Sequence, residues 1–269
     1  MFKKVLALSL FAVLLFLSPI QNLGASASAA FSLDKSVLDK GIITVNGPQS
    51  DGVQTIVRIS KDDAHYDYRF INGAHYPLQL GNGTYTVMVA ELIADNKYKV
   101  VTKENVELQL ADENAVYLQS ISLIDWNGGT KAVGEAAKLT NESMTDMEKV
   151  TAIYSYITQT IKYDDGKAQS VSNDYIPNLD AVYDASAGIC YDYAAILAAM
   201  ARSLNIPTRL VMGYEASAPE TYHAWNQVYL KDSGTWVTVD PTYDAARVQN
   251  GEQTPILKDP ENYTITQVY

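Results

Sequence analysis

Between residues 31 and 110 a turn signal interrupts the chain about every ten residues, and no other feature restricts the fold as tightly. The signals are Asn46-Gly47-Pro48, Asp51-Gly52, Asn72-Gly73, Gly81-Asn82-Gly83 and Asp95-Asn96. Such dipeptides set turn geometry directly, through positive φ at Gly and side-chain-to-backbone bonds at Asn and Asp. The runs between them are rich in β-branched and aromatic residues: Ile42–Val45, Val53–Ile59, Tyr66–Ile71, Tyr85–Ile93, Lys97–Val101 and Val106–Leu110. Six short strands at this spacing predict a small all-β, sandwich-like domain over residues 30–115. Tyr85, Val87, Val89 and Glu91 alternate with Thr86, Met88, Ala90 and Leu92, which predicts a strand that is largely buried. His65 and His75 lie among Tyr66, Tyr68 and Tyr76 and read as surface or turn packing, not as metal ligands or catalytic groups.

The period then changes. Residues 116–144 read as a connecting region with one helix and a turn at Trp126-Asn127-Gly128-Gly129. Thr145 followed by Glu148 has the spacing of a capping box, and Val150, Ile153, Ile157 and Ile161 follow at helical spacing. That helix is expected to end near Tyr163, before an aperiodic loop of about 15 residues that reads as a functional rim. Tyr193, Leu197, Met200 and Leu204 make the stripe of a second helix, rich in Ala and stopped by Asn205 and Pro207. Strands follow at Thr208–Tyr214 and Tyr222–Leu230. A turn at Lys231–Gly234 leads to a returning strand, Thr235–Asp240, ended by Pro241. Residues 145–269 therefore read as an α+β domain.

The chain carries 20 Lys and Arg against 31 Asp and Glu, a formal charge of -11. That balance argues against nucleic acid and against electrostatic docking on anionic lipid. Residues 1–29 read as a signal peptide: a basic start at Lys3 and Lys4, an apolar run from Val5 to Leu17, a break at Ser18-Pro19, and small residues from Ala25 to Ala29. Cleavage is expected after Ala27 or Ala29, giving a secreted or cell-surface protein. No later apolar run is long enough to span a bilayer, so no membrane association is expected after signal removal.

Cys190 is the only cysteine, so it has no disulfide partner within the chain. It is either a small buried hydrophobe or a functional thiol. Its place before the Tyr193 stripe puts it at a helix N-terminus. The macrodipole and unpaired N–H groups there favour a thiolate, the nucleophile of acyl transfer. Gly188 permits a tight backbone approach just before it, and the Cys190 N–H is placed to help bind an oxyanion. In an antiparallel hairpin, opposed residues share a constant index sum. A turn centred on Asp232-Ser233 gives 465, which opposes Trp225 to Asp240 and makes His223 the diagonal neighbour on the same face. A sum of 463 would instead oppose His223 and Asp240 directly, and an even sum would separate them. A carboxylate beside an imidazole orients it and stabilises its charged form. The expected roles are Cys190 as nucleophile, His223 as base and Asp240 as orienting acid.

Residues 178–243 resemble the transglutaminase-like superfamily in three segments, GICYDYAAILAAMARSLNIPTRLVMGY, HAWNQVYL and TWVTVDPTYD. The resemblance covers roughly residues 140–245. It implies a papain-like α+β core in the C-terminal half and the same three roles for Cys190, His223 and Asp240. Eukaryotic transglutaminases carry an oxyanion-stabilising Trp upstream of the Cys; none lies between Trp126 and Cys190, and the Tyr163 phenol is the candidate substitute. Tyr191 and Trp225 are candidate walls of the substrate site. Asp164, Asp165 and Asp174 read as a solvated loop, not a calcium site, and no metal or cofactor is expected. The resemblance implies thiol acyl transfer from a Gln side-chain amide to an amine, on protein or peptide substrates outside the cell. A cysteine peptidase or cell-wall amidase, and a non-catalytic surface binding module, remain as alternatives. Cross-linking, fragmentation and an ordinary thiol reactivity separate the three.

Overall fold

The structure, a computed structural model, describes residues 30–49, 51–94 and 97–269. The signal segment 1–29 with its cleavage sites, and the Asp95-Asn96 turn, lie outside the described residues.

The N-terminal region is strand-rich. It contains β1 (Ser32–Asp34), β2 (Ile42–Asn46), β3 (Thr55–Lys61), β4 (Ala64–Arg69), β5 (His75–Pro77), β6 (Gly83–Ala94) and β7 (Lys97–Leu108). They form two antiparallel sheets, ordered β1-β2-β5 and β4-β3-β6-β7. Aromatic pairs join the two layers: Phe31 meets Phe70 at 5.1 Å and Tyr68 meets Tyr76 at 5.5 Å between ring centroids. Two expectations change. Only one face of β6 is closed: Tyr85, Val87 and Val89 are buried, while Thr86 and Met88 are half-exposed because no second layer covers them. The runs at 97–101 and 106–110 are one strand. The polar stretch between them stays in register with β6, because β7 is an edge strand whose charged side chains face water.

After a 3-10 turn at Glu113–Leu118 comes α1 (Lys131–Leu139), whose Ala132 and Ala136 are fully buried. Residues 116–144 thus pack into the core that follows. In α2 (Asp146–Thr160) the Thr145 hydroxyl accepts from the Glu148 N–H at 3.2 Å, and the Glu148 carboxylate accepts from the Thr145 N–H at 2.8 Å. The helix stops at Thr160, short of Tyr163, and β8 (Lys162–Tyr163) follows it; the expected loop then carries α3 (Asp165–Ser170) and runs into α4 (Leu179–Ala185), with β9 (Ala187–Gly188) beyond it. These helices are too short for a 3.6-residue period to be legible. Their caps are visible in retrospect: Asp164 accepts from the Lys167 N–H and Asn178 from the Ala181 N–H, both at 2.9 Å.

The central element is α5 (Cys190–Ser203), buried on all sides from Asp192 to Arg202. Its alanines let neighbours approach all round, so it reads as a core helix and not an amphipathic one. It packs on a sheet of β10 (Thr208–Glu215), β11 (Tyr222–Leu230) and β12 (Thr235–Val239). Then follow α6 (Pro241–Gln249), β13 (Leu257–Lys258) and β14 (Tyr263–Val268). The sheet order is β13-β12-β11-β10-β14, so the last strand returns beside β10. The C-terminal half is thus an α+β core. The apolar cores of the two halves are continuous. Tyr269 ties them: its ring meets Tyr66 at 5.4 Å and Tyr68 at 6.0 Å between centroids, and its backbone carbonyl accepts from the Arg202 guanidinium at 3.0 Å.

Candidate active site

Cys190 begins α5, directly after β9, which pairs with β8 in parallel. The turn into the helix is held by Asp192. Its carboxylate accepts from the Ile189 N–H at 2.8 Å and from Lys167 Nζ and the Tyr175 hydroxyl at 2.6 Å each. Asp192 is completely buried, so the Lys167 charge and these donors are what make its burial tolerable. Gly188 is required here: a Cβ on it would stand 2.6 Å from the Asp192 Cβ. Asp192 and Lys167 carry no sequence signal of their own, since neither belongs to a spacing pattern.

The hairpin of β11 and β12 has Asn226 opposite Val239 and Leu230 opposite Thr235, an index sum of 465. Ala224, Asn226 and Val228 face α5, where the Asn226 amide donates to the Ala194 carbonyl at 2.9 Å. His223 and Trp225 alternate to the other side. There His223 Nε2 lies 2.8 Å from Asp240 Oδ2. Asp240 is fully buried and also accepts from the Tyr263 hydroxyl and the Thr242 N–H, both at 3.1 Å. The second of these bonds makes Asp240 the N-cap of α6, with Pro241 as its first residue. Pro241 therefore ends one element and starts the next, and only the first half of that was read.

The His223 Nε2 is taken by Asp240, and Cys190 is close enough to contribute to the His223 shift. Burial disfavours the imidazolium, but hydrogen bonds and charge from Asp240 and Cys190 outweigh it. The His223 pKa rises from 6.5 to about 9. His223 thus remains protonated through neutral pH.

Four aromatic residues surround this group. Tyr243 of α6 lies against the His223 ring at 4.6 Å and is partly exposed. Tyr163 of β8, 42% exposed, stands close enough for Cys190 to act on it: burial first, then charge on Cys190, raises its phenol pKa. The expected wall residues sit elsewhere. Trp225 is fully buried, stacked behind His223 at 6.0 Å and against Tyr263 at 4.9 Å. It shares the His223 face, but one step deeper in the strand, where β14 covers it. It supports the imidazole and walls no open site. Tyr191 turns toward Tyr175 and donates to the Leu123 carbonyl at 3.3 Å, because one residue along a helix is 100° round from Cys190. Tyr243 and Tyr263 escaped the sequence reading because they lie in α6 and β14, elements it did not predict.

No group of His, Cys, Asp and Glu suited to a metal occurs among the described residues. His65 and His75 are exposed, on β4 and β5 of different sheets.

The profile of the transglutaminase-like superfamily matches residues 135–241. The chain is 33% identical over 95 residues to a protein-glutamine gamma-glutamyltransferase of Pseudomonas aeruginosa, covering 30% of this chain and 14% of that protein. It is 31% identical over 119 residues to the human (Homo sapiens) kyphoscoliosis peptidase, covering 41% of this chain and 18% of that protein. The chain thus spans less than a fifth of the length of either relative. Among solved structures, red sea bream transglutaminase aligns with 75% of this chain and 48% of its own, at 12% identity and a TM-score of 0.31.

Proposed function

From the transglutaminase-like domain over residues 135–241, we propose that the protein is an exported thiol acyltransferase acting on Gln side-chain amides. One observation carries the reading: the His223 imidazole is held by the buried Asp240 carboxylate at 2.8 Å, with the helix-start Cys190 near enough to act on its pKa. In the resting pair the proton is on His223 and the negative charge on Cys190. The thiolate attacks the amide carbon, a C–S bond forms, and the C–N bond breaks. His223 passes its proton to the departing nitrogen, which leaves as ammonia. An amine then adds to the thioester carbon and gives a proton to His223. The C–S bond breaks and the thiolate–imidazolium pair is restored. The Cys190 N–H and the Tyr163 phenol are the proposed donors to the oxyanion. Asp240 acts by holding the imidazole, and Trp225 by backing it. The substrate is a protein or peptide outside the cell.

The test incubates the protein lacking residues 1–29, and its Cys190→Ala variant, with a Gln-containing protein and a labelled primary amine. Mass spectrometry reads incorporation and cleavage. Incorporation that requires Cys190 is expected. Cys190-dependent cleavage without label would replace transfer by hydrolysis, and an inert Cys190 that alkylates like a peptide thiol would leave a binding module.

A further inference from the structure

The face of the sheet that carries His223 also carries one acid outside the hydrogen-bonded group. Gly213 in β10 is opposite His223 in β11, and Glu215, two residues on, points to the same side. Residues in that diagonal relation lie roughly 7–8 Å apart at their Cα atoms. On its other edge Glu215 pairs with Tyr263, the tyrosine that bonds Asp240. The Ser217 N–H donates to Glu215 Oε2 at 2.8 Å and the Ser217 hydroxyl donates to the same oxygen, so the carboxylate is held in place at the end of β10. Glu215 takes part in none of the ion pairs among the described residues. Lys167 and Lys258 are engaged elsewhere, by Asp192 and Asp244. The two groups also act on one phenol. Burial, and next the charge on Glu215, push the Tyr243 pKa up to about 12, with Asp240 and Cys190 contributing in turn.

We propose that Glu215 determines substrate selectivity at this site by drawing a cationic group, the protonated primary amine of the acyl acceptor, to the mouth beside Cys190. The inference rests on the acyl-transfer reading above. The attraction is non-covalent, and the ammonium releases its proton to water before its nitrogen attacks the thioester. A carboxylate with no cation of its own on a site's rim raises the local concentration of cations and lowers that of anions.

Because Cys190 is the only cysteine, the local charge can be read without any turnover. The probes are a methanethiosulfonate bearing a trimethylammonium group and its sulfonate counterpart. In each, the thiolate attacks the probe sulfur, a disulfide forms and a sulfinate leaves. The ratio of cationic to anionic modification rates, normalised to a cysteine peptide, is expected to exceed one in the parent. It should fall about threefold in Glu215→Gln, the effect of one charge several ångströms away in a wet site, and about tenfold in Glu215→Lys. The rate with neutral iodoacetamide should hold within about twofold. In turnover, KM for a cationic amine should rise in Glu215→Gln with kcat kept. A ratio unchanged in both variants overturns the proposal, and so does a fall matched by iodoacetamide, which would mark a structural effect. If the protein proves not to transfer acyl groups, the reagent ratio still reports on Glu215, so the two failures are distinct.

Discussion

His223 is where the chemistry of single residues is most sharply set. It is almost fully buried, which by itself would favour the neutral ring, yet Asp240 and Cys190 reverse that preference and carry its pKa to about 9. Replacing Asp240 by Asn removes one of the two groups holding the imidazolium. In Asp240→Asn the His223 titration midpoint, followed by NMR, should move down from about 9 toward the ordinary value of about 6.5. Loss of the imidazolium should also cut the alkylation rate of Cys190 at about pH 7.5 by about tenfold, because a ring with a midpoint near 6.5 is only about one-tenth protonated there. A midpoint left near 9 in the variant would remove Asp240 from the orienting role. The three residues were legible in the chain for different reasons. Cys190 stood out as the only cysteine before a helical stripe. His223 and Asp240 stood out through a parity argument that needs only a turn and two strands. Asp192, which pins the backbone before Cys190, was not legible, because its partners Lys167 and Tyr175 come from a segment with no period.

At the scale of elements, the site depends on β14. This strand runs beside β10, carries Tyr263 to Asp240 and covers Trp225. Its approach requires Gly213, where the ladder shifts register and a Cβ would lie 2.0 Å from the Thr264 carbonyl oxygen. The contact is with backbone, which cannot swing aside, so Gly213→Ala must displace β14. We expect a loss of about 1–3 kcal/mol in a denaturant titration, as for other overpacked sites, together with slower Cys190 alkylation as Tyr263 leaves Asp240. Stability and reactivity both equal to the parent would show that β14 does not support the site. The long elements followed from pattern: the Thr145–Glu148 box began α2 as expected, and the 465 register held through β11 and β12. The short ones did not. A six-residue helix such as α3 has less than two turns over which to repeat anything, and α6 was hidden because Pro241 serves as both stop and start.

For the whole molecule, the two halves share a continuous core and are joined by Tyr269, whose ring packs on Tyr66 and Tyr68, so the β-region is part of the framework of the second half. Among the described residues no helix is long and apolar enough to cross a membrane. Export rests on residues 1–29: expressed in a secreting bacterium, the chain should be recovered outside the cell with a new N-terminus after Ala27 or Ala29, read by intact mass. Retention of the full-length chain in the cytoplasm would reject that part of the proposal. The sequence by itself determined the class of each half, because turn spacing and helical stripes are local and repeat along the chain. It also determined the pairing of His223 with Asp240, because a hairpin's register follows from its own numbering. Only the tertiary structure decided that Trp225 lies behind His223, that Tyr243 packs on its ring, that Tyr263 bonds Asp240 and that Glu215 lies on the same face. Those neighbours come from α6, β10 and β14, whose positions are set by which faces pack together, and packing between distant segments leaves no period in a single chain.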